Sequence, residues 1–135
     1  MRPETSARPV KTRHAAPVFQ VADLEASLKH YTEVLGFSPD FRFGDYAGVK
    51  LGEVCFHLCG HTIHQRPVGG GTVYIFCAEP VDTYHAELVT RGATLIAPPK
   101  DYAYGMRDFI AADPDGNHVA FGCKSEDAPP AAGPV

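Results

Sequence analysis

Two glycines frame this chain. Gly36 and Gly92 stand 56 residues apart, and each ends a stretch of apolar residues at helical spacing. Leu24, Leu28, Tyr31 and Leu35 recur along LEASLKHYTEVL, and Val81, Tyr84 and Leu88 share one face of PVDTYHAELVTR. That period marks an amphipathic helix. Glycine closes a helix because it enters the left-handed region without a Cβ clash. Asp23 stands at the N-cap of the first helix and Pro80 opens the second, both suited to a helix start. One strand-like segment precedes each helix and three follow it. The expected strands are 16–21, 38–43, 46–50 and 53–59 in the first half, and 72–77, 93–97, 106–112 and 118–123 in the second. Gly44, Gly52 and the sequence DPDGN at 113–117 mark turns between them.

The order β-α-β-β-β thus occurs twice, with little sequence identity between the copies. It predicts an α+β fold in which two βαβββ units, about 15–60 and 71–123, make a single domain over 15–123. Their curved mixed sheets would pair into a concave cradle. The connector GHTIHQRPVGGG at 60–71 lacks the strand-then-helix setting of a phosphate loop and reads as a flexible link. The ends, 1–14 and 124–135, combine Pro with charge or Ala, which predicts flexible tails.

Composition narrows the function. Of 135 residues, 44% are apolar and 21% charged, the profile of a soluble globular protein. Acidic residues outnumber basic ones 16 to 12, for a net charge of −4. That balance argues against a nucleic-acid partner and favours a cationic ligand. No apolar run is long enough to span a membrane. The opening MRPETSARPVKTRH lacks the apolar core of a signal peptide. The expectation is a cytoplasmic protein whose Cys55, Cys59, Cys77 and Cys123 are reduced.

The stretch VADLEASLKHYTEVLGF after a strand, with DPDGNHVAF near the C-terminus, resembles the vicinal oxygen chelate superfamily. That group holds glyoxalase I, extradiol dioxygenases, fosfomycin-resistance enzymes and bleomycin-resistance proteins. The resemblance runs over about 14–123. AAPVFQVADLEASLKHYTEVLGFSPDF followed by DYAGV is most similar to the bleomycin-binding resistance proteins. Enzymes of the superfamily hold a divalent metal with His and Glu from four strands. The resemblance places those positions at Ala16, His57, Val73 and Ala120. Three of the four have no lone pair to give, whereas catalytic sites use about three protein ligands. The resemblance therefore implies no metal, no cofactor and no metal-dependent catalysis.

The bleomycin-binding relatives grip flat heteroaromatic rings between aromatic side chains. Those positions carry over to Phe41, Tyr46 and Tyr104, with Phe43 and Tyr102 in the same flanking segments. The family position of His57 faces the groove. Asp40, Asp45 and Glu53 could meet a cationic ligand at the groove mouth, and Arg107 stands where the family often has Arg. The implied function is a non-catalytic protein that sequesters a small aromatic antibiotic of the bleomycin type, with cationic ones favoured by the acidic rim. Close relatives exchange their first strand across a homodimer, with a Pro near its start as the hinge. Pro17 matches that Pro, and two equivalent grooves would lie between the subunits.

The cysteines support other readings. Cys55, His57, Cys59 and His61 alternate and so share one strand face. Cys77 and His118 fall at the parity of the family's groove positions. One alternative is a metal-independent or thiol-dependent enzyme, a lyase, isomerase or transferase, with Cys55 or Cys77 as nucleophile and His57 as base. Another is a soft-metal site joining Cys55 or His57 to Cys77 or His118. Against both, free cysteines commonly serve as small buried hydrophobes.

Overall fold

The computed structural model describes residues 10–61 and 66–127. The first half contains β1 (Val18–Gln20), α1 (Leu24–Lys29) continuing as a π-helical turn (His30–Val34), β2 (Ser38–Phe43), β3 (Tyr46–Leu51) and β4 (Val54–Cys59). The second contains β5 (Thr72–Phe76), α2 (Val81–Thr90), β6 (Thr94–Asp101), β7 (Met106–Ala112) and β8 (His118–Lys124), then a short 3-10 turn (Ser125–Asp127). Each half is a four-stranded mixed sheet. The strand orders are β1-β4-β3-β2 and β5-β8-β7-β6, so the doubled order expected from the sequence is the architecture.

Local chemistry explains the boundaries. The Asp23 side chain accepts from the Ala26 N–H at 3.1 Å, capping α1. Gly36 and Gly92 have φ of 84° and 82°, the left-handed geometry that ends each helix. β6 runs on through Pro98 and Pro99 to Asp101, where the sequence pattern stops at residue 97. The strand lies at a sheet edge, and an edge tolerates residues without an N–H. Regular structure also continues to Asp127, a few residues beyond the expected limit. Of the tails expected at 1–14 and 124–135, residues 1–9 and 128–135 lie outside the described residues, as do connector residues 62–65.

Alternation along the strands divides each sheet into two faces. One face carries Phe19, Val49, Phe56 and Leu58 in the first half, and Ile75, Phe109 and Phe121 in the second. These merge with Tyr31, Leu35 and Leu88 from the helical segments into a single buried cluster.

The DPDGN turn joins the two halves. Asp113 Oδ1 accepts from the backbone N–H groups of Asp115 and Asn117, both at 2.9 Å. Its Oδ2 accepts from Asn117 Nδ2 at 2.9 Å and from Tyr31 Oη at 3.0 Å. Asp115 in turn accepts from the Ala22 N–H at 3.3 Å. A turn of the second repeat thus holds the start of the helix of the first.

His30 lies beside this joint. Burial pushes its imidazole below the ordinary value of 6.5; Asp113 and the Ala112 backbone oppose this by less. Its Nε2 is buried without a hydrogen-bond partner. Between the folded value and 6.5 the unfolded chain binds more protons at this residue, so stability is full above 6.5 and falls as pH drops through that window. Thermal midpoints measured from pH 7.5 to 5.5 should decline in the native sequence and decline less in His30→Gln.

Candidate functional site

The sheet faces turned away from the core carry the candidate residues. In the first sheet, the register pairs Phe43 with Tyr46, Phe41 with Gly48, and Gly48 with His57. Paired residues share a face, so Phe41, Phe43, Tyr46 and His57 lie together with Val18 of β1. Tyr46 Oη and His57 Nδ1 are 2.8 Å apart. The Phe41 ring stands edge-on to His57 at 5.0 Å and stacks toward Tyr46 at 6.2 Å. Gly48 permits this arrangement, because a Cβ there would strike the Phe41 ring.

The second sheet repeats the device with different chemistry. Tyr74, Asp108 and Gly122 lie on its outward face, as the pairings of Tyr74 with Ala120 and Asp108 with Gly122 require. A Cβ on Gly122 would strike the Tyr74 phenol. Tyr74 Oη donates to Asp108 Oδ2 at 2.9 Å, and Tyr104 Oη donates to the same oxygen at 2.6 Å. Tyr102 and Tyr104 stack with centroids 5.3 Å apart and planes 4° from parallel. The hydrogen bond to Asp108 is the main cause that pushes the Tyr104 phenol up to about 12, while burial chiefly raises Tyr74.

The structure therefore brings Phe41, Tyr46 and His57 together and sets Tyr104 on the other sheet. Among the described residues, no hydrogen bond or ring contact joins the two clusters. Within one chain they are two open half-sites rather than a single groove. Asp40 sits exposed in the bulge between Pro39 and Phe41. Glu53 occupies the β3–β4 turn, and the Asp45 carboxyl fills the space beside Gly60.

Arg107 is not on the groove face. It alternates with Asp108 and reaches α2, donating to both carboxylate oxygens of Asp82 at 2.8 and 2.9 Å. It also meets Asp101 at 3.4 Å. This fork holds the Asp82 carboxyl below the usual carboxylate range and ties the helix to β6 and β7. Arg107→Lys, which loses the two-pronged geometry, should lower the thermal midpoint without changing ligand affinity, as calorimetry on the pair of proteins would show.

Two sequence expectations need correction. Val73 pairs with Val119 and packs against the core, so Thr72 and Tyr74 are the outward-facing residues of β5. Cys77 likewise packs against the core, away from His57. Burial pushes its thiol up, the reverse of an activated nucleophile. A cleft of about 470 Å³ lies between the β3–β4 turn and the start of α2, with Leu51, Ile75 and Phe121 in its walls, but none of Phe41, Tyr46, His57 or Tyr104 lines it. The sequence reading missed Tyr74 and Asp108. The available signal was an acidic residue at an outward position of the apolar strand MRDFIAA.

The residues do not fit the divalent metal of the fold's enzymes. Ala16 and Ala120 carry methyl groups, neither Thr72 nor Tyr74 is a common ligand, and His57 Nδ1 already meets Tyr46. Among the described residues, no three His, Cys, Asp or Glu side chains are placed to hold a metal ion. No helix of the described residues is long and apolar enough to cross a membrane.

Paired βαβββ sheets with open, aromatic outer faces define a class of small α+β protein. The match to the Glyoxalase/Bleomycin resistance protein/Dioxygenase superfamily covers residues 12–121. The chain belongs to that superfamily. Among solved structures it is similar to the bleomycin-binding protein from bleomycin-producing Streptomyces verticillus, complexed with copper(II)-bleomycin. Identity is 29%, the TM-score 0.67, and the match covers 84% of this chain and 97% of that one. A glyoxalase/bleomycin resistance protein/dioxygenase from Nocardioides matches at 26% identity and a TM-score of 0.68, covering 96% and 93%. TnmS3, an antibiotic binding protein from Streptomyces sp. CB03234, shares the fold at 23% identity and a TM-score of 0.69, covering 86% and 100%. No curated protein matches the chain in sequence.

Proposed function

We propose that the protein binds and sequesters a small aromatic antibiotic of the bleomycin type without altering it. The observation that carries this is the Phe41, Tyr46 and His57 cluster laid open on the first sheet. Rings on an open face attract flat ligands, and an offset-stacked pair contributes about 0.5–1.5 kcal/mol beyond area burial. The similarity to a bleomycin-binding protein at 29% identity supports the same reading. Protection would follow from mass action: protein in excess of drug, with Kd below both, leaves little drug free.

The reading includes a homodimer. Neither half-site encloses a ring system alone, and Phe43 and Phe76 are 82% and 75% exposed. A second copy that laid its second sheet over the first sheet of its partner would cover these rings and form two equal grooves. β1 pairs in parallel with β4, and the His57 N–H donates to Pro17 O at 2.9 Å. A first strand exchanged at Pro17 would make the same register with the partner's β4.

The test is to incubate the protein with bleomycin, metal-free and copper-loaded, then denature it and weigh the recovered drug by mass spectrometry. Drug of unchanged mass, protected up to one molecule per subunit, is the expected result. Tyr46→Ala should weaken binding about tenfold or more. Chemically altered drug at substoichiometric protein would establish turnover instead.

A further inference from the structure

A phenol has one proton. Both Tyr74 and Tyr104 direct theirs to Asp108 Oδ2, at 2.9 and 2.6 Å. What the three side chains have left for a ligand is acceptors alone: phenol lone pairs and the second carboxylate oxygen. Asp108 is 4% exposed. Among the described residues no donor side chain meets its Oδ1, and no Lys or Arg pairs with it. A buried carboxylate without a cationic partner is uncommon, because burial of charge is costly unless compensated.

The surroundings add a second observation. Lys100 is the cross-strand neighbour of Asp108, yet its Nζ lies 5.5 Å from the centre of the Tyr102 ring. Tyr102 stacks on Tyr104. The patch already seats one ammonium group against an aromatic face. Gly122 leaves the room that lets the Tyr74 hydroxyl reach Asp108.

We propose that Tyr74, Asp108 and Tyr104 form an acceptor-only subsite that selects ligands through a protonated amine or amidine. The ring bearing that group lies against the Tyr102–Tyr104 stack. This deepens, and rests on, the reading of the protein as a binder of aromatic molecules. At Tyr74, Asp108 and Tyr104 themselves a carboxylate or other donor-poor group would meet only lone pairs and negative charge.

Two probes with one ring system test it: 2-naphthamidine, a cation, and 2-naphthoate, an anion. Both are titrated into the full-length protein and followed by two-dimensional NMR. Naphthamidine should bind about tenfold tighter or more and show NOEs to the Tyr74 and Tyr104 rings. Asp108→Asn keeps an acceptor oxygen for the phenols but removes the charge, and it should abolish the preference. Equal binding of both probes to the native protein, or an undiminished preference in Asp108→Asn, would overturn the proposal. If that variant does not fold, the native preference and the ring NOEs decide. Bleomycin titrated alongside separates the two levels. Bleomycin bound equally by both proteins, with no preference between the probes, would sink the subsite and leave sequestration standing. A probe preference lost in Asp108→Asn, with no bleomycin binding, would keep the subsite and sink the antibiotic.

Discussion

Phe56→Ala should lower the unfolding free energy by roughly 3–5 kcal/mol. Phe56 is fully buried and meets Phe19, Tyr31 and Phe37 at centroid distances of 5.3, 5.6 and 5.0 Å. Truncation removes the transfer free energy of a ring and leaves a void among three other rings. Those rings come from β1, the π-helical turn and the segment leading into β2, so they cannot collapse together without moving backbone. A domain of this size has about 5–15 kcal/mol in total, so the variant would lie near the limit of folding. Urea denaturation provides the measurement. Val89→Ala is the control: its side chain is half-exposed on α2, away from the open sheet faces, and the change should stay within about 0.5 kcal/mol.

Asp113→Ala should cost about as much, roughly 3–5 kcal/mol, for a different reason. Its carboxylate satisfies four donors: two backbone N–H groups, Asn117 Nδ2 and Tyr31 Oη. Asn117 and Tyr31 are both fully buried, so their donors would lose their partner without gaining water. Each unmet buried donor costs on the order of 1–3 kcal/mol, and the losses are coupled rather than additive. The same change cuts the joint between the repeats. Amide exchange should therefore quicken in α1 as well as in the 113–117 turn. Asp113→Asn keeps one acceptor oxygen and should recover part of the loss. Denaturation with exchange confined to the turn would show that the joint is local.

The pattern of elements was largely legible because its signals are local. Helical spacing before Gly36 and Gly92, the Asp23 cap and the short apolar strands each follow from a few neighbouring residues. Phe41 and Tyr46 were picked out by the family resemblance, and they stand together because their strands are adjacent and joined by a tight turn. What was not legible depends on distant partners. The extension of β6 through Pro98 and Pro99 follows from its edge position, which the segment itself does not encode. β5 begins after a glycine run, so nothing nearby sets its register. A shift of one residue sends every side chain to the opposite face, which is how Val73 and Cys77 came to be expected outward. Asp108 gains its meaning from Tyr74, 34 residues earlier, and from Tyr104 in the turn before its own strand. Arg107 follows the same logic: its neighbour in sequence faces the groove, while Arg107 faces Asp82.

Open aromatic faces that hold a flat drug should release or absorb heat when the drug is added. Isothermal titration of the metal-stripped protein with bleomycin, copper-free and copper-loaded, tests it most directly, alongside sedimentation to establish the oligomeric state. The expected result is a dimer that binds about one drug per subunit with micromolar or tighter affinity. A folded dimer that gives no heat with either form would contradict it.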